Sequence, residues 1–175
     1  MTDFRHVYLA CDVSNLWKVC RSKYGKNARI NFEVLKNIIP ATYENIHTLD
    51  LCAYTVAHPK AVQKPFEDIL TSLGFSVKSR ELSYVNELNY PLNISWQMGI
   101  SFDILEKLDQ YDTFVIVTGN GEFRDLIDKV SVDDDVKLVV ITFDTEAAKI
   151  LYKGVDELYL LEDNIVYQQK GDVAA

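Results

Sequence analysis

Three near-continuous apolar runs constrain this 175-residue chain more than any other feature: residues 7–11 (Val-Tyr-Leu-Ala-Cys), 113–118 with Phe114-Val115-Ile116-Val117 at its centre, and 136–142. A strand with one wet face alternates apolar and polar residues, whereas a strand covered on both faces reads as a continuous apolar run. Segments of helical period lie between the runs. Val62, Phe66, Ile69, Leu70 and Leu73 recur at helical spacing in 60–73, and Ile100, Ile104 and Leu108 do so in 95–108. Alternating β and α elements predict a single-domain α/β fold: a doubly wound, mainly parallel sheet with helices on both faces, Rossmann-like in plan.

Punctuation residues place the remaining elements. A helix begins near Ser14 or Asn15, and Asn31 is a fitting N-cap for a second that Pro40 ends at Ile39. A strand follows at 49–56, and Gly74 caps the 60–73 helix ahead of a strand at 75–79. The polar stretch 86–93, with Pro91, reads as a loop. Helix 122–130, the acidic turn Asp133-Asp134-Asp135, helix 145–153 and a short strand at 157–160 complete the domain, set at 1–167, with a tail at 168–175 expected to fray.

Composition narrows the class. At 48% hydrophobic and 25% charged residues the chain is an ordinary globular protein. No apolar run nears the ~18 residues that span a bilayer, so no membrane partner is expected. The N-terminus, acidic at Asp3 and entering a strand at once, does not read as a signal peptide. Cys11, Cys20 and Cys52 are odd in number and lack paired spacing, which favours reduced thiols in a cytoplasmic compartment. The net charge of −8 argues mildly against nucleic acid as partner. Locally the balance inverts: no acid lies between Asp12 and Glu33, while Lys18, Arg21, Lys23, Lys26 and Arg29 do, interleaved with Trp17 and Tyr24.

Three acids fall where a parallel sheet would deliver them to one edge: Asp12 closing the first run, Asp103 on a predicted helix, and Glu122 beyond the run at 113–118. Ligands of open α/β sheets bind outside the carboxyl ends of the strands. Carboxylates gathered there repel one another unless protons or a cation neutralise them, and hard oxygen ligands suit Mg²⁺ or Mn²⁺. Each residue has a plainer reading. Asp12 and Asn15 are also good helix caps, and Asp103 alone fits a solvated helix face. The turn Thr118-Gly119-Asn120-Gly121-Glu122 lacks both GxGxxG and the Walker pattern, which speaks against a nucleotide-phosphate cradle. His6, His47 and His58 accompany no Ser or Cys nucleophile motif.

Together the segments YLACDVSNL, QMGISFDILEKLD, YDTFVIVTGNGEFRDLI and KLVVITFDTEAAKILYKGVDELYLLED resemble, in order, those of the NYN family, PIN-like nuclease domains that include the LabA-like proteins. The resemblance implies a PIN-like fold, a Mg²⁺ or Mn²⁺ site and cleavage of RNA, single-stranded RNA first. It places Asp12, Asp103 and Glu122 as catalytic acids and metal ligands, and Asn15 as the family asparagine. Asn120 stands where the family has its first aspartate of the glycine-rich turn, and Glu122 replaces the second. Gln97-Met98 stands where a basic residue is frequent. Asn120 would be a neutral ligand or water holder, and losing one formal charge weakens a divalent site. Lys18, Arg21, Lys23 and Lys26 would guide the phosphate backbone, with Trp17 or Tyr24 to stack bases. The expected function is a metal-dependent endoribonuclease. Its rival is a catalytically weakened NYN-like domain serving as an RNA- or protein-binding module, with a small-ligand α/β domain third. Self-association into a homo-oligomer stays open.

Overall fold

The structure, a computed structural model, describes residues 5–57, 64–81, 84–85, 90–91 and 95–169. The first apolar run forms β1 (Arg5–Asp12), whose last six residues are buried. Helix α1 (Val13–Tyr24) starts at once because Asp12 caps it, Oδ1 accepting from Asn15 N–H at 3.1 Å. The chain continues through β2 (Ala28–Ile30), α2 (Phe32–Thr42), β3 (Ile46–Ala57), α3 (Lys64–Ser72), β4 (Phe75–Glu81), and the two-residue strands β5 (Tyr84–Val85) and β6 (Tyr90–Pro91). Then come α4 (Gln97–Leu105), β7 (Thr113–Val117), α5 (Arg124–Val130), β8 (Lys137–Thr142), β9 (Glu157–Leu160) and β10 (Val166–Gln168).

Six strands pair side by side in the order β4-β3-β1-β7-β8-β9, every pair parallel. Counted along the chain, those six run 3-2-1-4-5-6 across the sheet, the order of doubly wound nucleotide-binding folds. On one face Leu16, Cys20, Leu35, Ile39 and Leu70 of α1, α2 and α3 pack on Val7, Leu9, Val115 and Ile141. On the other, Ile100, Ile104, Leu126 and Ile127 of α4 and α5 pack on Tyr8, Ala10, Ile116 and Val140. Alternate residues of one strand therefore enter opposite cores, which is why the runs at 7–11 and 113–118 carry no polar interruption. Among the described residues no helix is long and apolar enough to cross a membrane.

Several local expectations change. Helix α2 runs through Pro40 to Thr42. The ring is exposed and removes a single helical bond in the last turn, and Tyr43 N–H still closes the helix on Ile39 O at 2.9 Å. Instead of a helix at 145–153 there is one 3₁₀ turn, Ala148–Tyr152, entered at Thr145, whose hydroxyl accepts from Ala148 N–H, and left at Gly154 (φ 85°). A 3₁₀ turn, Gly121–Phe123, precedes α5. Within the expected loop, Tyr90–Pro91 pairs with Tyr84–Val85, and residues 86–89 and 92–94 lie outside the described set. So do residues 58–63, with His58 and the start expected for α3. The expected tail begins inside β10, which pairs antiparallel with β2 at the end of the basic segment. Residues 170–175 are not described.

Candidate active site

The sheet changes winding face between β1 and β7, and such a switch point opens a crevice beyond the carboxyl ends of the two strands. A cleft of about 280 Å³ lies there. Asp12, Asn15 and Lys18 line it from the β1 side, Asn120 and Glu122 from the turn after β7, and Ser95 with Trp96 at the head of α4.

Asp12 is 4% exposed. Burial pushes its carboxyl up to about 6, against the opposing pull of hydrogen bonds from Asn15 N–H and the Thr118 hydroxyl. It is thus both the expected cap and a buried acid in want of a counter-charge. Asn15 ties the walls together: Oδ1 accepts from Gly119 N–H at 2.8 Å. A Cβ at Gly119 would stand 3.2 Å from Val19 Cγ2 and 3.3 Å from Asn15 Oδ1, so glycine keeps that contact close. Asn120 orients its neighbour, Oδ1 accepting from Glu122 N–H at 3.1 Å and Nδ2 donating to Glu122 Oε2 at 3.2 Å. Gln97 Nε2 donates to the Glu122 carbonyl at 2.6 Å, joining α4 to the turn.

Asp103 lines a different place. From α4 its carboxylate accepts from the Tyr54 hydroxyl at 2.5 Å and pairs with the Lys78 ammonium. Burial pushes this carboxyl up, but the hydrogen bonds from Lys78 and Tyr54, with the charges of Lys78 and Lys107, hold it below the usual carboxylate range. Asp103 is absent from the walls of the crevice.

A second cleft of about 480 Å³ shares Asn15, Lys18 and Asn120 with the first and continues past Ser22 and Lys23 to Asp144 and Thr145. Lys18 and Lys23 therefore face a continuous groove, whereas Arg21 and Lys26 line neither cleft. Arg29 lies over the Trp17 ring, 5.4 Å from its centroid, and donates to the carbonyls of Lys26 and Ala28. Trp17 packs on Phe66, and Tyr24 packs on Phe143 and donates to Asp163. Among the described residues the aromatic ring at the crevice is Trp96, which sequence reasoning missed. Its Nε1–H donates to Thr55 O at 2.6 Å, with the Tyr54 ring and the Arg80 guanidinium against it. Thr118, Tyr54 and Lys78 were missed too. A tyrosine at 54 inside an apolar strand was the one available hint.

Among the described residues no group of three or more His, Cys, Asp or Glu side chains is placed to hold a metal ion. Two carboxylates, Asp12 and Glu122, do share the crevice. Mg²⁺ commonly takes one or two carboxylates and fills its remaining positions with water and substrate phosphate. The donor set fits a hard cation held in that manner.

The NYN domain family model matches residues 6–162. The low amplitude and bright protein LabA of Synechococcus elongatus is 27% identical over 114 residues, which cover 63% of this chain. The chain spans about three fifths of that relative, 61% of its length. A crystal structure of a Vibrio parahaemolyticus protein of unknown function superposes with a TM-score of 0.79 at 20% identity, covering 95% of this chain and 99% of that one. The fold is thus a known one, consistent with the PIN-like plan. Since the family match runs from β1 to beyond β9 and takes in both walls of the crevice, this chain belongs to the NYN domain family.

Proposed function

We propose that this domain is a metal-dependent endoribonuclease that hydrolyses RNA phosphodiesters in the crevice between β1 and β7. The observation that carries this reading is the meeting of Asp12, Glu122 and Lys18 in one small cleft at the switch point. Family membership supports it, since NYN domains are PIN-like nucleases that generally act on RNA with divalent metal. Asp12 and Glu122 would hold Mg²⁺ or Mn²⁺, with Asn120 as a neutral oxygen beside them. Bound there, such an ion activates water and offsets charge on the scissile phosphate.

The chain's own side chains do the positioning. Asn15 N–H and Thr118 fix Asp12, and Asn120 fixes Glu122. Lys18 at the crevice and Lys23 along the adjoining groove supply cations for consecutive backbone phosphates. Clefts of about 280 and 480 Å³ are of small-ligand size, which favours a single strand over a duplex. The three unpaired, buried thiols support a reducing, cytoplasmic setting.

The second reading, an RNA- or protein-binding module with weakened chemistry, draws on Asn120 in place of an acid and on the absence, among the described residues, of a three-acid group. Incubating single-stranded RNA with the purified protein in Mn²⁺ and in EDTA separates the two. Cleavage in Mn²⁺ that disappears in Asp12→Asn and Glu122→Gln supports the nuclease. RNA that is bound but left intact under every condition refutes it and leaves the module.

A further inference from the structure

Asp12, Tyr54 and Lys78 stand at one level on three adjacent strands, with Asp12 paired to Tyr54 across β1 and β3 and Tyr54 to Lys78 across β3 and β4. Residues in parallel register point to the same sheet face, and Tyr54 belongs to the core that α4 covers. Asp103 reaches down from α4 onto this row, accepting from Tyr54 and pairing with Lys78. Because the single Tyr54 proton goes to Asp103, the 2.8 Å contact between the Tyr8 and Tyr54 oxygens has Tyr8 as donor. The chain of bonds is complete: Tyr8 to Tyr54 to Asp103, closed by the Lys78 charge.

Two distances separate this assembly from the crevice. Lys78 is two strand spacings from Asp12, roughly 10 Å of backbone. Asp103 lies six positions beyond Gln97, roughly 9 Å of helix rise from the end of α4 that meets the crevice. Yet the assembly reaches the crevice wall through packing. The Tyr54 and Trp96 ring centroids are 5.2 Å apart, and Trp96 lines the cleft with Asp12. Gly99 lets α4 close over that indole, since a Cβ there would fall 2.7 Å from Trp96 Cε3.

We propose that Lys78 supplies from within the chain the positive charge that Asp103 would otherwise draw from a metal ion, making Asp103 a positioning residue for Tyr54 and Trp96 and leaving Asp12 and Glu122 as the carboxylates of the divalent ion. This builds on the nuclease reading in assigning those two carboxylates to the metal. It departs from the family pattern at the third acid. A carboxylate holding an ammonium and a tyrosine hydroxyl has already exchanged its water for charge-assisted partners. A divalent ion would have to displace the lysine before gaining anything.

The test uses the whole chain as wild type, Asp103→Asn, Lys78→Met and the double variant, with Glu122→Gln as control. Mn²⁺ binding is titrated calorimetrically near neutral pH, and thermal unfolding is followed in EDTA. Asp103→Asn should keep the wild-type Mn²⁺ dissociation constant within about twofold, whereas Glu122→Gln should weaken it about tenfold or more, as loss of a charged ligand does. Lys78→Met should show a larger Mn²⁺-induced rise in unfolding temperature than wild type. In EDTA each single change should lower the midpoint by about 2–4 °C, and the double variant by less than the sum. A tenfold loss of Mn²⁺ affinity in Asp103→Asn overturns the proposal, as do strictly additive losses in EDTA. If Lys78→Met does not fold, Lys78→Gln takes its place with the same outcomes. A wild type that binds no Mn²⁺ refutes the metal reading of Asp12 and Glu122, and the EDTA cycle then decides the pairing alone.

Discussion

Replacing Asp12 with asparagine should stabilise the metal-free protein at neutral pH and do nothing of the kind in acid. The carboxyl is 4% exposed and pushed from an ordinary 3.8 to about 6, burial outweighing the help from Asn15 N–H and Thr118. A raised folded-state pKa means the folded chain binds this proton more tightly than the unfolded one. The contribution therefore favours folding below 3.8, declines as pH rises through the interval from 3.8 to about 6, and is fully lost above it. The swing is on the order of 3 kcal/mol at 1.36 kcal/mol per unit. Asparagine keeps an oxygen for Asn15 N–H and carries no charge to desolvate, so Asp12→Asn should exceed wild type by about 1–3 kcal/mol at pH ~7 in EDTA. Urea unfolding followed by circular dichroism across pH ~4–8 measures the difference. Subtracting the variant from wild type cancels the other carboxylates, which titrate in both. On the proposed metal reading, saturating Mn²⁺ should then reverse the order, because at a hundred times the dissociation constant a ligand stabilises by about 2.7 kcal/mol, and the variant would lack one carboxylate of the proposed pair. A difference that stays flat with pH, or an asparagine variant as weak at neutral pH as in acid, would refute the reasoning.

Lys18→Ala with Lys23→Ala should weaken RNA binding and flatten the slope of log K against log salt by about 0.7 per lost contact. Arg21→Ala with Lys26→Ala, off both clefts, should leave that slope alone, and equal effects of the two pairs would count against the groove. Gly121→Ala would put a Cβ 2.9 Å from Ala147 O and 3.1 Å from Ile150 Cδ1. It should cost about 1–3 kcal/mol in urea unfolding, and a neutral result would mean that the 3₁₀ turn after β8 yields freely. Glu157 has its carboxyl held down at about 2, burial being outweighed by hydrogen bonds from Lys137, Tyr43 and Tyr159. That stability is present above its ordinary 4.5 and lost as pH falls toward 2. The pair is partly wet, so Lys137→Met should cost only about 1 kcal/mol near neutrality. The cost should shrink toward pH ~2, and one unchanged by acid would exclude the ion pair as its source.

What was legible in the chain followed from period and burial. A strand buried on both faces announces itself, so β1, β7 and β8 were readable to within two residues, and with them the carboxyl edge to which Asp12 and Glu122 are delivered. Three-residue strands such as β2 and β10 are too short to show a period, and they exist because they find each other across the chain. The 3₁₀ turn at Ala148–Tyr152 and the run of α2 past Pro40 are set by neighbours and solvent, which propensity does not see. Asp103 was readable as an acid in a family position but not as Lys78's partner, because their meeting depends on the register of β3 against β4. The five cations likewise looked alike in sequence: the winding of α1 separates Lys18 and Lys23 from Arg21, while Lys26 and Arg29 lie beyond the end of that helix.

The pairing of β2 with β10 bears on the order in which this chain takes shape. Gln168 donates from Nε2 to Tyr24 O, 144 positions back, and Gln169 N–H donates to Asn27 O. Tyr24 likewise reaches forward to Asp163. The end of α1, which carries Lys23 of the groove, is thus secured by residues that a ribosome delivers only after all six strands of the main sheet. Contacts between sites so distant close late, since loop entropy must be met before they return anything. During synthesis the sheet can assemble while the end of α1 and β2 still lack their partner. That end of α1 should therefore be the last part to become rigid, and on the proposed nuclease reading a nascent chain should acquire its core before it acquires a grip on RNA.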